Sequence, residues 1–481
     1  MITKNILVLV AYGIPNLAPV RRILSINSYA GMRLGRMRYE DLLTKFWTGS
    51  PVITMEALPG SVGELRTVLQ HHPEATRVLA VDARWFPINE EQVHSLIEKA
   101  KYASVDVIVH AFGGNAPALW ASDTAPLLTR NDIERIDHAM GDPVRLKAPD
   151  GAYADLSDPA RILRLFASGF SLRAFNKMGQ GRSGYFMKSS PQKDKMLAEH
   201  TFFTNIPAEI RPFFPQVGTF TETADGGSYE VEVVPALDVA KHLLNETFRQ
   251  PVAAERLIDS LSRYWDARPR VQTTSAQVRS HLTDLFVRKT SERIANTKAL
   301  PIIGKLNLVC QWNGVESYEE FSHSVINKVK STIESEASTS LGFFHGDLFF
   351  SNMIFDPSTG LLKLIDPRGT KSGTASFNAD WYDLAKLSHS FCGRYDTLVY
   401  DLADLVLGKE MQLTLRHHDL PGLATLQHGF ERFLSDRGYN LGIVRLYEST
   451  LFLSMIPLHA EDDKRVVCQL CQAIDSFKAA K

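Results

Sequence analysis

Two aspartates and an asparagine stand close together in the second half of the chain. Asp347 is followed five residues later by Asn352, and Asp366 comes fourteen residues after that asparagine. Phosphoryl transfer requires a carboxylate that positions an acceptor hydroxyl, together with oxygen ligands that hold Mg²⁺ against the phosphates. These residue types at this spacing therefore predict a metal-assisted phosphoryl-transfer site.

The segment between Asn352 and Asp366 predicts a hairpin. Two strand-like runs, residues 353–355 and 361–365, flank the turn-forming stretch 356–360, Asp-Pro-Ser-Thr-Gly. A hairpin of this kind would return Asp366 to the side of Asn352. Both metal ligands would then face one pocket.

Residues 345–352, His-Gly-Asp-Leu-Phe-Phe-Ser-Asn, have the Asp-to-Asn interval of the kinase catalytic loop H-R-D-x-x-x-x-N. This stretch resembles the catalytic loop of the aminoglycoside phosphotransferase and choline kinase family. Residues 365–369, Ile-Asp-Pro-Arg-Gly, resemble the metal-binding turn of that family, and residues 380–387 resemble the segment that follows the turn. Three linked motifs in the family's order are more specific than any one of them.

The resemblance implies a role for each motif residue. Asp347 would be the catalytic base, Asn352 and Asp366 the Mg²⁺ ligands, Asp383 a support for the catalytic loop, and ATP the phosphoryl donor. His345, also placed in the catalytic set, has two interpretations. A neutral imidazole can bind a metal or act as a base, but in a kinase-like setting packing and hydrogen bonding that hold the loop are favoured.

A lysine and a glutamate further upstream resemble the kinase pair that contacts the ATP phosphates. Lys188 ends a strand-like run, and Glu199 follows eleven residues later in a helical stretch. Lys193 and Lys195 compete for the role of Lys188, but both lie at the start of that helix, where a solvated charged face is the ordinary interpretation.

Residues 179–184 read Gly-Gln-Gly-Arg-Ser-Gly and follow the G-x-G-x-x-G pattern. A dinucleotide site needs a strand, a turn and then a helix, whereas this turn joins two strands. Two interpretations stay open: a glycine-rich loop over the phosphates, or an ordinary hairpin turn beside them.

The stretch from Glu232 to Val234 leads into a helix predicted at 239–244, where members of the resembled family connect their two lobes. Backbone groups of Glu232 and Val234 would read adenine in that position. An edge strand closed by Pro235 is equally compatible with these residues.

The order of elements from about residue 165 onward is that of a kinase-like domain. A β-rich lobe is expected at 165–237 and a helical lobe with the catalytic loop at 238–481, with strands there only in the 353–365 hairpin. The predicted strand pairs of the β-rich lobe are residues 172–177 with 185–189, and 218–223 with 229–234.

Residues 1–150 alternate strand-like and helical runs, which predicts a three-layer α/β domain. Its strands are near-continuous apolar runs, as expected for a parallel sheet covered on both faces. The stretch 140–159 is rich in Gly, Pro and Asp and predicts a linker. The fold class is therefore an α/β domain followed by a bilobal α+β, protein-kinase-like domain.

The first domain weakly resembles the nucleotidyltransferase (glycosyltransferase A-like) domains of some capsule and lipopolysaccharide proteins. The likeness rests on residues 6–13, on residues 60–65 before a helix, and on a strand that ends in Asp82. A glycine-rich triphosphate loop should follow the first strand, but residues 11–16 contain one glycine. Without such donors a triphosphate is poorly held, so a degenerate module that binds a sugar nucleotide or a partner is expected. Arg33 and Arg36 could bind phosphate or be ordinary surface arginines.

Bulk composition limits the partners and the compartment. Lys plus Arg number 53 against 54 Asp plus Glu, so the net charge of −1 gives no sign of a nucleic-acid partner. No unbroken apolar run reaches the roughly 18 residues of a membrane span. Four cysteines form no disulfide framework, and Cys468 and Cys471 are expected on the core face of a helix. A cytoplasmic protein is expected, and its oligomeric state is left open.

The leading hypothesis is transfer of the ATP γ-phosphoryl group to a hydroxyl of a small molecule, a sugar or amino alcohol of surface-polysaccharide synthesis. One rival is a non-catalytic, nucleotide-holding kinase-like module. Another is a sugar-nucleotide enzyme that acts through the first domain. The retained Asp347, Asn352 and Asp366 oppose the first rival, and the missing triphosphate loop opposes the second.

Overall fold

The computed structural model divides the chain into two compact units, Met1–Phe170 and Ser171–Lys481. It describes residues 5–12, 23–24, 28–34, 37–111, 117–129, 142–168, 177–180, 184–223, 226–368, 377–408 and 412–480.

The first unit is of the α/β class. Its strands are β1 (Ile6–Ala11), β2 (Arg33–Leu34), β3 (Met37–Arg38), β4 (Val52–Met55), β5 (Arg77–Asp82), β6 (Trp85–Pro87), β7 (Val107–His110), β8 (Pro117–Asp123), β9 (Val144–Lys147) and β10 (Tyr153–Asp155). Its helices are α1 (Tyr39–Thr44), α2 (Val62–Gln70), α3 (Glu90–Tyr102), α4 (Thr124–Thr129) and α5 (Pro159–Ser168).

A mixed six-stranded sheet of order β4-β1-β5-β8-β7-β9 is the centre of this unit. β1 runs parallel to β4 and β5, but β8 runs antiparallel to both of its neighbours, so the expectation of a parallel sheet is wrong at β8. Every residue of β1 is buried. Leu7 and Leu9 pack with Val62 and Leu65 of α2, which covers one face of the sheet by apolar burial.

The domain boundary expected near residue 150 is corrected to 170. The stretch 140–159, predicted as a linker, carries β9 and β10 instead. β9 pairs in parallel with β7, and β10 pairs with β6 through Ala154 and Phe86. Gly and Pro mark turns, but they do not prevent short strands from forming between those turns.

The second unit contains the elements predicted to carry the site. Its strands are β11 (Lys177–Gln180), β12 (Tyr185–Ser190), β13 (Thr221–Thr223), β14 (Gly226–Glu232), β15 (Leu237–Asp238), β16 (Arg270–Gln272), β17 (Ser340–Phe343), β18 (Met353–Asp356), β19 (Leu361–Leu364), β20 (Phe377–Asn378), β21 (Ala403–Leu407) and β22 (Leu413–His417). Its helices are α6 (Lys193–Thr204), α7 (Val239–Leu244), α8 (Pro251–Ala267), α9 (Ser275–Leu282), α10 (Lys289–Lys298), α11 (Ile303–Trp312), α12 (Tyr318–Glu334), α13 (Trp381–Phe391), α14 (Tyr395–Val399), α15 (Leu423–Ser435), α16 (Leu441–Met455) and α17 (Asp463–Lys478).

An antiparallel sheet of order β11-β12-β14-β13 forms the β-rich part of this unit, and α6 packs against β14. β11 begins at Lys177, the last residue of the strand predicted at 172–177, and residues 172–176 fall outside the described ranges. The hairpin predicted at 353–365 is confirmed as β18 and β19.

The rest of the unit is mainly helical. Two further strand groups, the β21–β22 hairpin and the sheet β16-β17-β20, correct the expectation of a single hairpin there. α16 lies in the core and packs against α10, α12, α13 and α17. In the described ranges, the run Leu441–His459 is long and apolar enough to cross a membrane, but 67% of its most apolar window is buried in the protein.

Two glycines differ in how closely another part of the backbone approaches them. Replacing each with alanine measures how much such a close backbone contact contributes to stability. Gly422 precedes α15 with φ +90°, and a Cβ there would lie 2.0 Å from the Phe248 carbonyl oxygen. Gly438 has φ +75° and no atom within 4 Å of an added Cβ. We expect Gly438→Ala to lower the free energy of unfolding by about 1–2 kcal/mol, the cost of the left-handed backbone.

Gly422→Ala should lower the free energy of unfolding by about 1–3 kcal/mol more than Gly438→Ala does, because the Phe248 backbone must move. Urea denaturation of both variants measures the difference. Equal losses would mean that this contact relaxes without cost.

Candidate active site

The catalytic loop predicted at 345–352 follows β17 and is fastened to the first turn of α13. The carboxylate of Asp383, which is fully buried, accepts hydrogen bonds from the backbone N–H of His345 at 2.9 Å and of Gly346 at 2.8 Å. Burial raises the pKa of Asp383 to about 6, while Arg268 and the two backbone donors act in the opposite direction. The predicted support role of Asp383 thus has a defined geometry.

Arg268 stands behind this carboxylate. Its guanidinium lies 3.8 Å from Asp383 and donates a 3.0 Å hydrogen bond to Asp380. Asp380 also pairs with Arg270 at 2.8 Å and accepts a hydrogen bond from the Tyr439 hydroxyl. Buried charges need partners of this kind, so the cluster stabilises the start of α13 where Asp383 stands.

His345 is buried with no exposed surface. Its Nδ1 accepts a hydrogen bond of 3.3 Å from the backbone N–H of Asp347, and its ring packs near Phe202 and stacks on Phe214. Burial lowers its pKa to about 4, so the imidazole is neutral near pH 7. This geometry favours the loop-holding interpretation over that of a metal ligand or base.

The β18–β19 hairpin brings the two proposed metal ligands together. Met353 pairs with Leu364, and the backbone N–H of Ile365 donates a 3.0 Å hydrogen bond to the carbonyl of Asn352. The Asn352 side chain in turn donates through Nδ2 to the carbonyl of Asp347 at 2.8 Å. Asp347, Asn352 and the turn after β19 therefore form one hydrogen-bonded group.

Asp366 occupies a strained position directly after the hairpin. Its φ is +54°, in the left-handed region that costs a non-glycine residue about 1–3 kcal/mol. The next turn is fixed by a 2.8 Å hydrogen bond from the Arg368 N–H to the carbonyl of His345. This conformation presents the Asp366 carboxylate to Lys188, whose Nζ lies 2.6 Å away.

Lys188 joins the β-rich lobe to this group. The buried ammonium pairs with Glu199 of α6 as well as with Asp366. Burial lowers the pKa of Lys188, but the two carboxylates outweigh it and the pKa is raised. The structure thus brings Lys188 and Glu199 together as predicted, whereas Lys195 is exposed and Lys193 pairs at the surface with a glutamate of β13.

The connection that would read adenine lies at the end of β14. The N–H of Glu232 donates to the Gln216 carbonyl at 2.9 Å, and the Val234 carbonyl accepts from the Ala236 N–H at 2.8 Å. Adenine recognition therefore stays a prediction that depends on the other backbone groups there, the Glu232 C=O and the Val234 N–H.

The glycine-rich stretch begins in β11 and ends just before β12, and these two strands pair antiparallel. Gly179 pairs with Met187, and Gly184 has φ +81°. Residues 181–183 lie outside the described ranges, so coverage of the phosphates stays a prediction.

Two cations beside Asp347 had no role in the sequence analysis. Lys386, buried on α13, places Nζ 2.8 Å from the Asp347 carboxylate, and Arg368 approaches the same oxygen at 3.7 Å. A signal for Lys386 was available, because it follows Asp383 by three residues and so shares its helix face. Tyr229 was also missed; its hydroxyl donates to Glu199.

The carboxylate that ends β5 in the first unit is held by its neighbour Arg84. The Asp82 carboxylate accepts a 2.9 Å hydrogen bond from the Arg84 N–H and pairs with its guanidinium at 3.2 Å. Arg36 falls outside the described residues. Within them no group of three metal-ligating side chains occurs, and Cys468 and Cys471 are buried thiols on α17, as predicted.

No protein-family model and no curated protein matches the chain. Among solved structures, an aminoglycoside phosphotransferase from Streptomyces rimosus is similar, with 18% identity over 62% of this chain and 97% of that one, at a TM-score of 0.34. A thermostable aminoglycoside phosphotransferase mutant in complex with ADP and hygromycin B has 10% identity over 64% and 94%, at 0.36. A choline kinase from Cryptosporidium parvum has 13% identity over 64% and 90%, at 0.32. These likenesses are weak, so conclusions about this chain rest on its own geometry.

The Asp383 anchor can be tested by removing one acceptor oxygen. We expect Asp383→Asn to lower the free energy of unfolding by about 1–3 kcal/mol, because the amide leaves one buried N–H without an acceptor. The amides of His345 and Gly346 should also exchange hydrogen faster. Urea denaturation and hydrogen exchange measure the two effects.

Asp284→Asn is the matched control, since this carboxylate is 60% exposed. Its stability should stay within about 0.5 kcal/mol of the unsubstituted chain. Unchanged exchange at residues 345 and 346 in Asp383→Asn would show that Asp383 does not hold the loop.

Proposed function

We propose that this protein transfers the γ-phosphoryl group of ATP to a hydroxyl of a small molecule. The observation that carries the proposal is the convergence at one place of Asp347, Asn352, Asp366 and Lys188, which come from three separate parts of the sequence. Carboxylates, an amide oxygen and a phosphate-binding ammonium are the groups that kinase-like chemistry needs.

The donor set at the end of the hairpin fits Mg²⁺. Because Nδ2 of Asn352 donates to the catalytic loop, its Oδ1 is the atom that would bind metal, together with the half-exposed carboxylate of Asp366. Mg²⁺ prefers such hard oxygen ligands and is bound by few protein groups together with phosphates. Bound there, the ion would neutralise charge on the phosphates.

Asp347 is the proposed base. Its carboxylate would accept the proton of the acceptor hydroxyl, whose oxygen forms the new bond to phosphorus as the bond to the ADP oxygen breaks. Lys386, whose Nζ lies 2.8 Å away, holds this carboxylate from α13. The hydrogen bonds from the buried loop to Asp383 hold the carboxylate in place, and precise positioning is a large part of catalysis here.

Lys188, oriented by Glu199, would bind the phosphates, and the backbone at Glu232 and Val234 would bind adenine. Lys188 is 6% exposed and held from two sides, so its position is well defined before nucleotide arrives. When the metal binds the Asp366 carboxylate, the Lys188 ammonium would leave Asp366 and pair with phosphate instead.

The biological setting remains part of the proposal. A sugar or amino alcohol of surface-polysaccharide synthesis is the proposed acceptor class, and the cytoplasm the proposed compartment. The first unit is proposed as a degenerate nucleotidyltransferase-like module that binds a sugar nucleotide or a partner. Fold resemblance alone does not name an acceptor, so a panel of sugars and amino alcohols with labelled ATP is the first screen.

Nucleotide binding provides one test. Mg-ATP should raise the Tm, because a ligand that binds only the native state stabilises it by mass action. Asp366→Ala should lose the Mg²⁺-dependent part of this rise. Thermal unfolding with ATP, with and without Mg²⁺, measures that part.

Asp463→Ala removes a carboxylate that is 59% exposed and serves as the control, in which the Mg²⁺-dependent rise should be retained. If Asp366→Ala also retains it, Asp366 is not a metal ligand.

The role of Asp347 is tested with Asp347→Asn, which keeps size but removes the base. We expect kcat to fall by about 10²- to 10⁴-fold. The KM for ATP should barely change, because Asp347 would contact the acceptor rather than the phosphates. Steady-state kinetics on the acceptor found in the panel measures both constants.

Asn352→Ala should instead raise the Mg²⁺ concentration that half-maximal activity requires. This contrast separates the base from the metal ligand. A folded Asp347→Asn protein with near-normal turnover would favour the non-catalytic, nucleotide-holding alternative.

A further inference from the structure

Three cationic side chains gather around one buried phenol next to Asp347. The Tyr382 hydroxyl accepts hydrogen bonds from Arg368 at 3.0 Å and from Lys289 at 3.1 Å. Lys386, one turn along the same helix as Tyr382, pairs with Asp347 at 2.8 Å. The cluster therefore combines charges from α10, from the turn after β19 and from α13.

In the part of the chain that the structure describes, two carboxylates act on Arg368, and both have other partners. Asp347 is shared between Lys386 and Arg368, and Asp383 already accepts two backbone hydrogen bonds and faces Arg268. Among the described residues, the three cations thus face the carboxylate of Asp347, while Asp383, which also acts on Arg368, is held by its own partners. Arg368 links Tyr382 to Asp347, since its guanidinium contacts both the hydroxyl and the carboxylate, so the cationic cluster lies beside the proposed base.

The electrostatic effect on neighbouring groups agrees with this count. Burial tends to raise the pKa of Tyr382, but Arg368, Lys386 and Lys289 outweigh it and the pKa is lowered. The pKa of Lys289 is lowered, first by burial and also by its cationic neighbours. Like charges held this close repel one another, and an anion placed among them would relieve that repulsion.

We infer that Lys289 and Arg368 bind an anionic group carried by the acceptor, so that the substrate is a hydroxyl compound bearing a phosphate or carboxylate. The inference rests on the proposed function and narrows its acceptor class. Arg368 offers a planar set of donors suited to such oxyanions, and Lys289 adds a compact second charge. Tyr382 holds both side chains by accepting from each.

The same cations could serve only the transferred γ-phosphoryl group, which is also anionic. The two sources can be distinguished with a nucleotide that keeps its γ-phosphate. Such a nucleotide fills the position of the γ-phosphoryl group and leaves the position of the acceptor's anionic group open. Sulfate is a suitable tetrahedral probe, used at constant ionic strength with chloride. The nucleotide is Mg²⁺ with β,γ-imido-ATP at saturation, compared with Mg-ADP.

We expect sulfate to raise the Tm of the β,γ-imido-ATP complex further, in a saturable manner. Lys289→Gln should weaken the fitted sulfate Kd by about 10- to 100-fold, the loss expected for a charged hydrogen bond. Lys289→Arg keeps the charge and should retain binding. The control is Arg288→Gln, which removes an exposed guanidinium paired with Asp284 and Glu292 and should bind sulfate normally.

Sulfate binding to the ADP complex alone would assign the cations to the γ-phosphoryl group and overturn the inference, with the proposed kinase activity intact. Sulfate binding that Lys289→Gln leaves unchanged would overturn it too. No rise in Tm with Mg²⁺ and β,γ-imido-ATP is a different failure, since it removes the proposed function itself. If Lys289→Gln does not fold, sulfate binding by Lys289→Arg, together with the comparison of sulfate binding to the β,γ-imido-ATP and Mg-ADP complexes, tests the inference.

Discussion

The buried carboxylate of Asp383 is the constraint on which the site depends. An ionised group in the interior must be satisfied by donors, and here two backbone N–H groups of the 345–352 loop and the nearby Arg268 guanidinium meet that need. The loop cannot shift without leaving the carboxylate short of partners. The positions of Asp347 and, through the side chain of Asn352, of the hairpin follow from this attachment.

Features encoded over short distances could be predicted from the sequence. The interval from Asp347 to Asn352, the turn residues between β18 and β19, and the lysine and glutamate on a strand and the next helix are all local patterns. The structure places these groups together, with Lys188 as the bridge to Asp366.

Other features depend on partners far apart in the chain. Lys289 and Tyr382 meet across 93 residues, and no local pattern marks a helical lysine as the neighbour of a buried phenol. The antiparallel direction of β8 could not be predicted from the sequence either, because an apolar strand can pair with parallel or antiparallel neighbours. Likewise the Gly- and Pro-rich stretch before α5 shows where turns occur, but not that strands pair between them.

The β18–β19 hairpin has a consequence for how the chain can vary in length. Adding one residue to either arm would reverse the side-chain alternation and move Asp366 away from Asn352. The tip is different, since Ser358 and Thr359 are exposed and lie beyond the last paired residues, Asp356 and Leu361. Insertions are tolerated best at such exposed tips. The hairpin therefore separates a segment of fixed length from a point where a reporter group or an added peptide can be attached.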